Sequence, residues 1–336
     1  MKIRLGYVPL TDAAVVVAAA EKGFAAAEGL DIELSREASW ATLRDRLALG
    51  HLDGAHILAP LACATVLGLS GPQAALAAPV VLNLNGNAVT ISNALWAEIA
   101  ADAGAGSLPD LARRLVAAAT RRSQAGRALR LGTVFPFSSH TYQLRRLMAL
   151  GGARLEEAAE VAVVPPPHMV EALRRGTIDG FCVGAPWNSI AVDLGLGRIA
   201  ALGCDLVPDC PEKVLGMPVA MAESAAGLAL VRALRRAAAW CGDPGHHGEL
   251  ARLLASDRHL GLDEGVIRRT LEGRLVLAAG APERVEPRYL LLGDAVGRPD
   301  PAHEAWIRAA MVEAGQADAR GAPAGLYRPD LYDAAG

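Results

Sequence analysis

Residues 163–188 read VVPPPHMVEALRRGTIDGFCVGAPWN, and their order decides the fold class. Val161, Val163 and Val164 close a β-branched run, and Pro165, Pro166 and Pro167 have no N–H to give a ladder, so a strand ends there. The spacing then predicts a helix over 168–175. Met169, Ala172 and Leu173 fall at i, i+3 and i+4 on one apolar face, and Gly176 supplies the left-handed residue after the last turn. Phe181, Cys182 and Val183 form a short buried strand. Strand, helix and strand in 26 residues make a βαβ unit, the repeating element of parallel α/β sheets. The tail at 184–188 is irregular: either a loop that only connects or, as at strand ends of open α/β folds, a ligand wall.

The same alternation runs outward on both sides. Strands are expected at 3–8, 31–34 and 53–58, with helices at 13–28, 40–49 and 60–68; Thr11 or Asp12 caps the first and Ser39 the second. Residues 80–92 read as two strand pieces hinged at Asn85, Gly86 and Asn87, a turn inside a β run that marks the chain crossing between lobes. After a helical 95–124, a fresh series begins with a strand at 129–134 and a helix at 140–150 capped by Ser138 or Ser139. It continues through the quoted stretch to a strand at 198–202, a loop at 203–213 and a strand at 217–221 that returns to the first lobe. The rest is mostly helix, at 226–241, 249–254, 263–272 and 301–314. Residues 1–86 with 214–336 are expected as one discontinuous lobe and 87–213 as the other.

At 336 residues the chain has the length of about two domains. Hydrophobic residues at 52% against 21% charged exclude disorder, and a net charge of −3 with no Lys/Arg run argues against nucleic acid or anionic membrane as a direct partner. No window reaches the ~18 apolar residues of a membrane span. The start, MKIRLGYVPLTDAAVVVAAAEKG, puts Lys2 and Arg4 before an apolar run as a secretory leader does. Gly6, Pro9, Thr11 and Asp12 interrupt that run, and Ile3, Leu5 and Tyr7 alternate as a strand. With five cysteines and no disulfide framework, the expectation is a cytoplasmic protein.

Three helix starts carry polar groups that can converge in a cleft: Thr11–Asp12, Ser39–Trp40 and Ser138–Ser139–His140. Free N–H groups and partial positive charge at such ends suit a small anion. Trp40 adds an indole donor and His140 one or two more, the alternatives being packing for Trp40 and a cap for His140. Lys213, in a loop before the returning strand, supplies a full charge if held between lobes. Catalytic readings find less support. Cys204, Cys210, His246 and His247 match no zinc spacing, and His56 after a strand has no accompanying nucleophile motif. Asp179 completes a turn, and no metal or cofactor is expected.

The motifs GYVPLTDA at 6–13, ASW at 38–40, DGAHIL at 53–58, NLNG at 83–86, VVPPP at 163–167 and CVGAPWN at 182–188 resemble the nitrate/bicarbonate solute-binding family of ABC importers, and YRPDLY at 327–332 resembles its C-terminal signature. The resemblance implies a type II periplasmic-binding-protein fold, two α/β lobes with the ligand cleft between them, and no enzyme activity. It implies that nitrate or nitrite is held by Trp40, Asn87, His140 and Lys213. Two departures stand out: Asn87 is shorter than the family's usual glutamine, and Ala185 replaces a frequent acidic residue, which leaves that point of the pocket without negative charge. Joined to a cytoplasmic location, it implies a nitrate/nitrite sensor of the NasS type that controls an RNA-binding antitermination regulator (NasT-like) of nitrate assimilation. The alternative is the substrate-binding component of a nitrate importer.

Overall fold

A computed structural model describes residues 1–100, 106–321 and 323–336. The alternating N-terminal strands are parallel: β1 (Lys2–Tyr7) lies between β2 (Asp31–Arg36) and β3 (Gly54–Leu58). Every residue of β3 and of the following β4 (Leu76–Asn85) is buried, as in sheets covered on both faces. The chain then leaves for a second sheet made of β5 (Asn87–Ser92), β6 (Leu129–Thr133), β7 (Ala159–Val163), β8 (Gly180–Gly184) and β9 (Gly197–Leu202). It returns as β10 (Pro211–Pro218), forms a hairpin of β11 (Arg274–Val276) and β12 (Glu283–Val285), and adds an edge with β13 (Leu290–Leu291). The sheet orders are β13-β4-β10-β3-β1-β2 and β7-β6-β8-β5-β9.

The stretch at 163–188 folds as a βαβ unit. β7 stops at Val163, a 3₁₀ turn Pro166–His168 leads into the helix Met169–Arg174, Gly176 sits at φ +66°, and β8 runs parallel to β6. Asp179 does more than turn the chain: its carboxylate accepts from Arg130 N at 2.8 Å and pairs with Arg122 at 2.8 Å, tying β6 to the helix Leu108–Gln124.

The passage between sheets falls at Asn85–Gly86–Asn87. Asn85 is left-handed at φ 60°, a conformation its short polar side chain tolerates, and Gly86 follows at φ +94°. Asn85 N donates to Cys210 O at 2.9 Å and Cys210 N donates back to Asn85 Oδ1 at 2.8 Å, so the outgoing and returning segments are bonded to each other.

Several expectations need correction. The helix at 13–28 is broken into a 3₁₀ turn Thr11–Ala13, a helix Ala14–Glu21 and a second turn Ala26–Glu28, with Gly23 at φ +80° ending the middle piece. Neither Thr11 nor Asp12 caps it. The helix at 95–124 is two, Asn93–Ala100 and Leu108–Gln124, the second opened by a Ser107–Asp110 capping box; residues 101–105 of that expectation lie outside the described residues. The returning strand begins at Pro211 rather than 217, so Lys213 lies on a strand and not in a loop, and the expected lobe boundary after Lys213 falls inside β10. The β11–β12 hairpin interrupts a region expected as mostly helix, because three-residue strands carry too little alternation to register. Among the described residues no helix is long and apolar enough to cross a membrane.

Candidate functional site

The site is built on β10, where regular geometry fails. Its pairing with β4 shifts register between Pro211 and Lys213 and again between Lys213 and Val214. Such irregularities re-aim side chains. Lys213, paired to Leu58 of β3, is fully buried, and its Nζ lies 2.9 Å from Asp12 Oδ2 and 2.5 Å from Glu212 Oε1. Asp12 comes from the turn after β1; its other oxygen, Oδ1, is 3.0 Å from His56 Nε2 at the middle of β3.

Trp40 and His140 are delivered by capped helices, as the sequence indicates. Ser39 Oγ accepts from Thr42 N at the start of Trp40–Ala48, and Ser138 Oγ accepts from Thr141 N at the start of Ser139–Leu150, both at 3.2 Å. The Trp40 ring lies 5.3 Å from Lys213 Nζ, a cation–π distance, and 5.9 Å from the His56 ring. From the second sheet, Asn87 Nδ2 donates to Glu212 Oε2 at 2.8 Å and to Ser139 Oγ at 3.2 Å, Ser139 Oγ donates to the same Glu212 oxygen, and His140 Nε2 stands 3.5 Å from Glu212 Oε1. The structure therefore brings Trp40, Asn87, His140 and Lys213 around one centre.

The electrostatics follow from burial against pairing. Burial opposes the Lys213 charge, but Asp12 and Glu212 outweigh it and hold the ammonium above its ordinary range. Burial also opposes the Asp12 charge, and Lys213 and His56 overcome it, keeping this carboxyl well below the usual carboxylate range. For Glu212 burial prevails over Lys213 and pushes the carboxyl up. Burial, with Lys213 adding to it, drives His140 far below an ordinary histidine, and burial lowers His56 against the pull of Asp12. Several buried polar atoms at the site have no hydrogen-bond partner among the described residues: Trp40 Nε1, Gln143 Nε2 and both ring nitrogens of His140, of which the neutral ring offers one N–H. Buried donors are costly unless matched, and an oxyanion supplies the acceptors.

The ligand set expected from the sequence omits three residues found here, Glu212, Ser139 and Gln143. Asp12 is expected as a cap and His56 as an unsupported base, whereas Asp12 holds His56 with one oxygen and Lys213 with the other. The pocket expected to lack negative charge at Ala185 has two carboxylates close by, Asp12 and Glu212. The tail at 184–188 forms a wall: a Cβ on Gly184 would stand 3.5 Å from both Asn87 Oδ1 and Asp12 Oδ2, and Ala185 O accepts from Thr11 N at 3.0 Å. Cys204 and Cys210 do not meet His246 and His247 as a metal-holding group among the described residues. Cys204 lies instead with Asp205 and Glu286, whose carboxylates are taken by Arg284 and Arg288.

A family model described as the NMT1-like family matches residues 1–255. The chain is 32% identical over 316 residues to the nitrate/nitrite binding protein NrtA of Synechococcus elongatus, covering 91% of this chain and 70% of that one. It is 37% identical over 265 residues to the nitrate import ATP-binding protein NrtC of Synechocystis, covering 78% of this chain and 38% of that protein, so the chain spans well under half of this longer relative. The crystal structure of the periplasmic nitrate-binding protein NrtA from Synechocystis superposes with a TM-score of 0.88 at 27% identity, over 99% of this chain and 88% of that one. The fold is thus the periplasmic-binding-protein-like α/β fold, and the resemblance to nitrate/bicarbonate solute-binding proteins is borne out.

Proposed function

This chain belongs to the NMT1-like family, and we propose that it binds nitrate or nitrite as the substrate-binding component of an ABC importer. The observation that carries this reading is the buried Lys213 ammonium with Trp40, Asn87 and His140 gathered about it where the two sheets face each other. The nitrate-binding relatives support it. Charge-assisted bonds are worth about 1.5 to 3 kcal/mol each, so three or four are of the size that micromolar affinity, about −8 kcal/mol, requires. Every one of these side chains is buried, so a ligand reaches them only when the halves separate, and it favours the closed state only as far as it binds that state more tightly. No enzymatic role is proposed. Calorimetry with nitrate, nitrite, hydrogencarbonate and sulfate tests the reading: nitrate or nitrite should bind wild type and fail to bind Lys213→Ala, and equal affinity for the variant would sink the site.

A second reading is a cytoplasmic nitrate/nitrite sensor that holds an RNA-binding antitermination regulator and releases it when the anion binds. It is favoured by the five cysteines, all free and buried thiols, which suit a reducing compartment. The nitrate-import relatives favour the first reading. Cell fractionation separates the two, and the sensor reading fails if pull-downs recover no such regulator or one whose binding ignores nitrate.

A further inference from the structure

In a site that binds nitrate, the reading on which its role here rests, Glu212 has no obvious place. Its carboxylate sits where donors of both halves meet. Oε1 is 2.5 Å from Lys213 Nζ and 3.5 Å from His140 Nε2, while Oε2 accepts from Asn87 Nδ2 at 2.8 Å and from Ser139 Oγ. Three of the four expected anion ligands therefore already face a planar group with two oxygens. Asp12 holds Lys213 from another side at 2.9 Å. With both carboxylates ionised and both histidines neutral, the buried centre carries one positive and two negative charges, and a monoanion would add a third negative charge. Buried charge without compensation is strongly disfavoured.

We infer that Glu212 couples anion binding to a proton: a planar oxyanion without a hydroxyl, such as nitrate, enters together with one proton, which bonds to the Glu212 carboxylate and cancels its charge, so that the buried centre keeps one positive and two negative charges with the anion in place. Protonation turns Glu212 from a competitor for the donors into a further donor, and it releases the Lys213 charge toward the ligand.

The other titratable groups around Glu212 are poorer takers of that proton. Asp12, from the turn after β1, is held ionised by Lys213 and by His56 of β3. His140, on the helix Ser139–Leu150, would have to charge against burial and against Lys213. Cys182 on β8 and Cys210 just before β10 are thiols that burial keeps protonated throughout. Glu212 is the group that burial already pushes toward its neutral form.

The test is calorimetry of nitrate binding to the full chain from about pH 6 to about pH 9, in two buffers of different ionisation enthalpy so that protons are counted. Wild type should take up one proton per nitrate at the alkaline end, with Kd rising about tenfold per pH unit there. Glu212→Gln, which mimics the neutral acid, should bind nitrate with no proton uptake and a Kd flat to within about twofold. Nitrate binding to wild type without proton uptake, or a slope retained in Glu212→Gln, overturns the inference while leaving the anion site standing. No nitrate binding at any pH overturns the proposed function, and the inference with it. If Glu212→Gln does not fold, the wild-type proton count decides alone.

Discussion

Glu212 and Lys213 are consecutive residues of β10, yet Lys213 Nζ lies 2.5 Å from Glu212 Oε1. Successive side chains on a regular strand point to opposite faces. The register shifts on either side of Lys213 break that alternation and bring an ammonium and a carboxylate to the same side, next to Asp12.

Removing the ammonium should cost stability as well as binding. Lys213→Met leaves Asp12 and Glu212 as buried carboxylates without their common cation, and breaking such a group costs about 3 to 5 kcal/mol. Urea denaturation without ligand should show that loss. A decrease below about 1 kcal/mol would mean that His56, Asn87 and Ser139 suffice for the carboxylates.

Acid should weaken the fold through its buried histidines. Both His140 and His56 have folded pKa values below the ordinary 6.5. As pH falls below 6.5 the unfolded chain takes up protons that the folded one refuses, so stability present above that pH is lost below it. The slope is up to about 1.4 kcal/mol per pH unit for each histidine. Melting temperatures between about pH 7.5 and 5.5 should fall accordingly, and less steeply in His140→Gln; an unchanged slope in that variant would show His140 charging freely in the fold.

Gln316 straps the two halves together. It follows the helix Pro301–Glu313, which packs on Ala59–Val66 of the first half; its Oε1 accepts from Tyr142 OH at 2.8 Å, and its Nε2 donates to Pro136 O at 3.0 Å. Two neutral hydrogen bonds of about 0.5 to 1.5 kcal/mol each favour closure. Gln316→Ala should therefore weaken nitrate binding by roughly tenfold and expand the ligand-free protein in small-angle scattering. Unchanged affinity and radius would show that the contact does not bias closure.

Gly203 keeps the returning segment close to the outgoing one. A Cβ there would stand 2.8 Å from Asn87 O and 2.9 Å from Gln143 Oε1. Gly203→Ala should destabilise by about 1 to 3 kcal/mol and weaken anion binding by displacing Asn87. Gly248→Ala is the control: among the described residues nothing lies within 4 Å of a Cβ there, it sits inside the helix His247–Ala255, and it should stabilise by up to about 1 kcal/mol. Equal effects of the two substitutions would remove the close-packing explanation.

What the sequence by itself determined is whatever depends on neighbours a few residues apart. The βαβ reading of 163–188, the Ser39 and Ser138 caps, and the break at Asn85–Gly86–Asn87 all rest on periodicity, capping and turn chemistry, and each stands in the fold. Trp40 and His140 are legible because capped helix starts are local signals. Asn87 and Lys213 are named through family likeness, and their convergence with the other two appears only in three dimensions.

The tertiary structure alone decided the charges of the site. Asp12, His56 and Glu212 lie far apart in the chain, and they gather around Lys213 because β3 lies between β1 and β10 in one sheet. Local propensity has no term for a lysine on an interrupted strand, so Lys213 reads as a loop residue and Glu212 carries no signal of its own. Alternation assigns consecutive side chains to opposite faces, and only the register imposed by β4 places these two together.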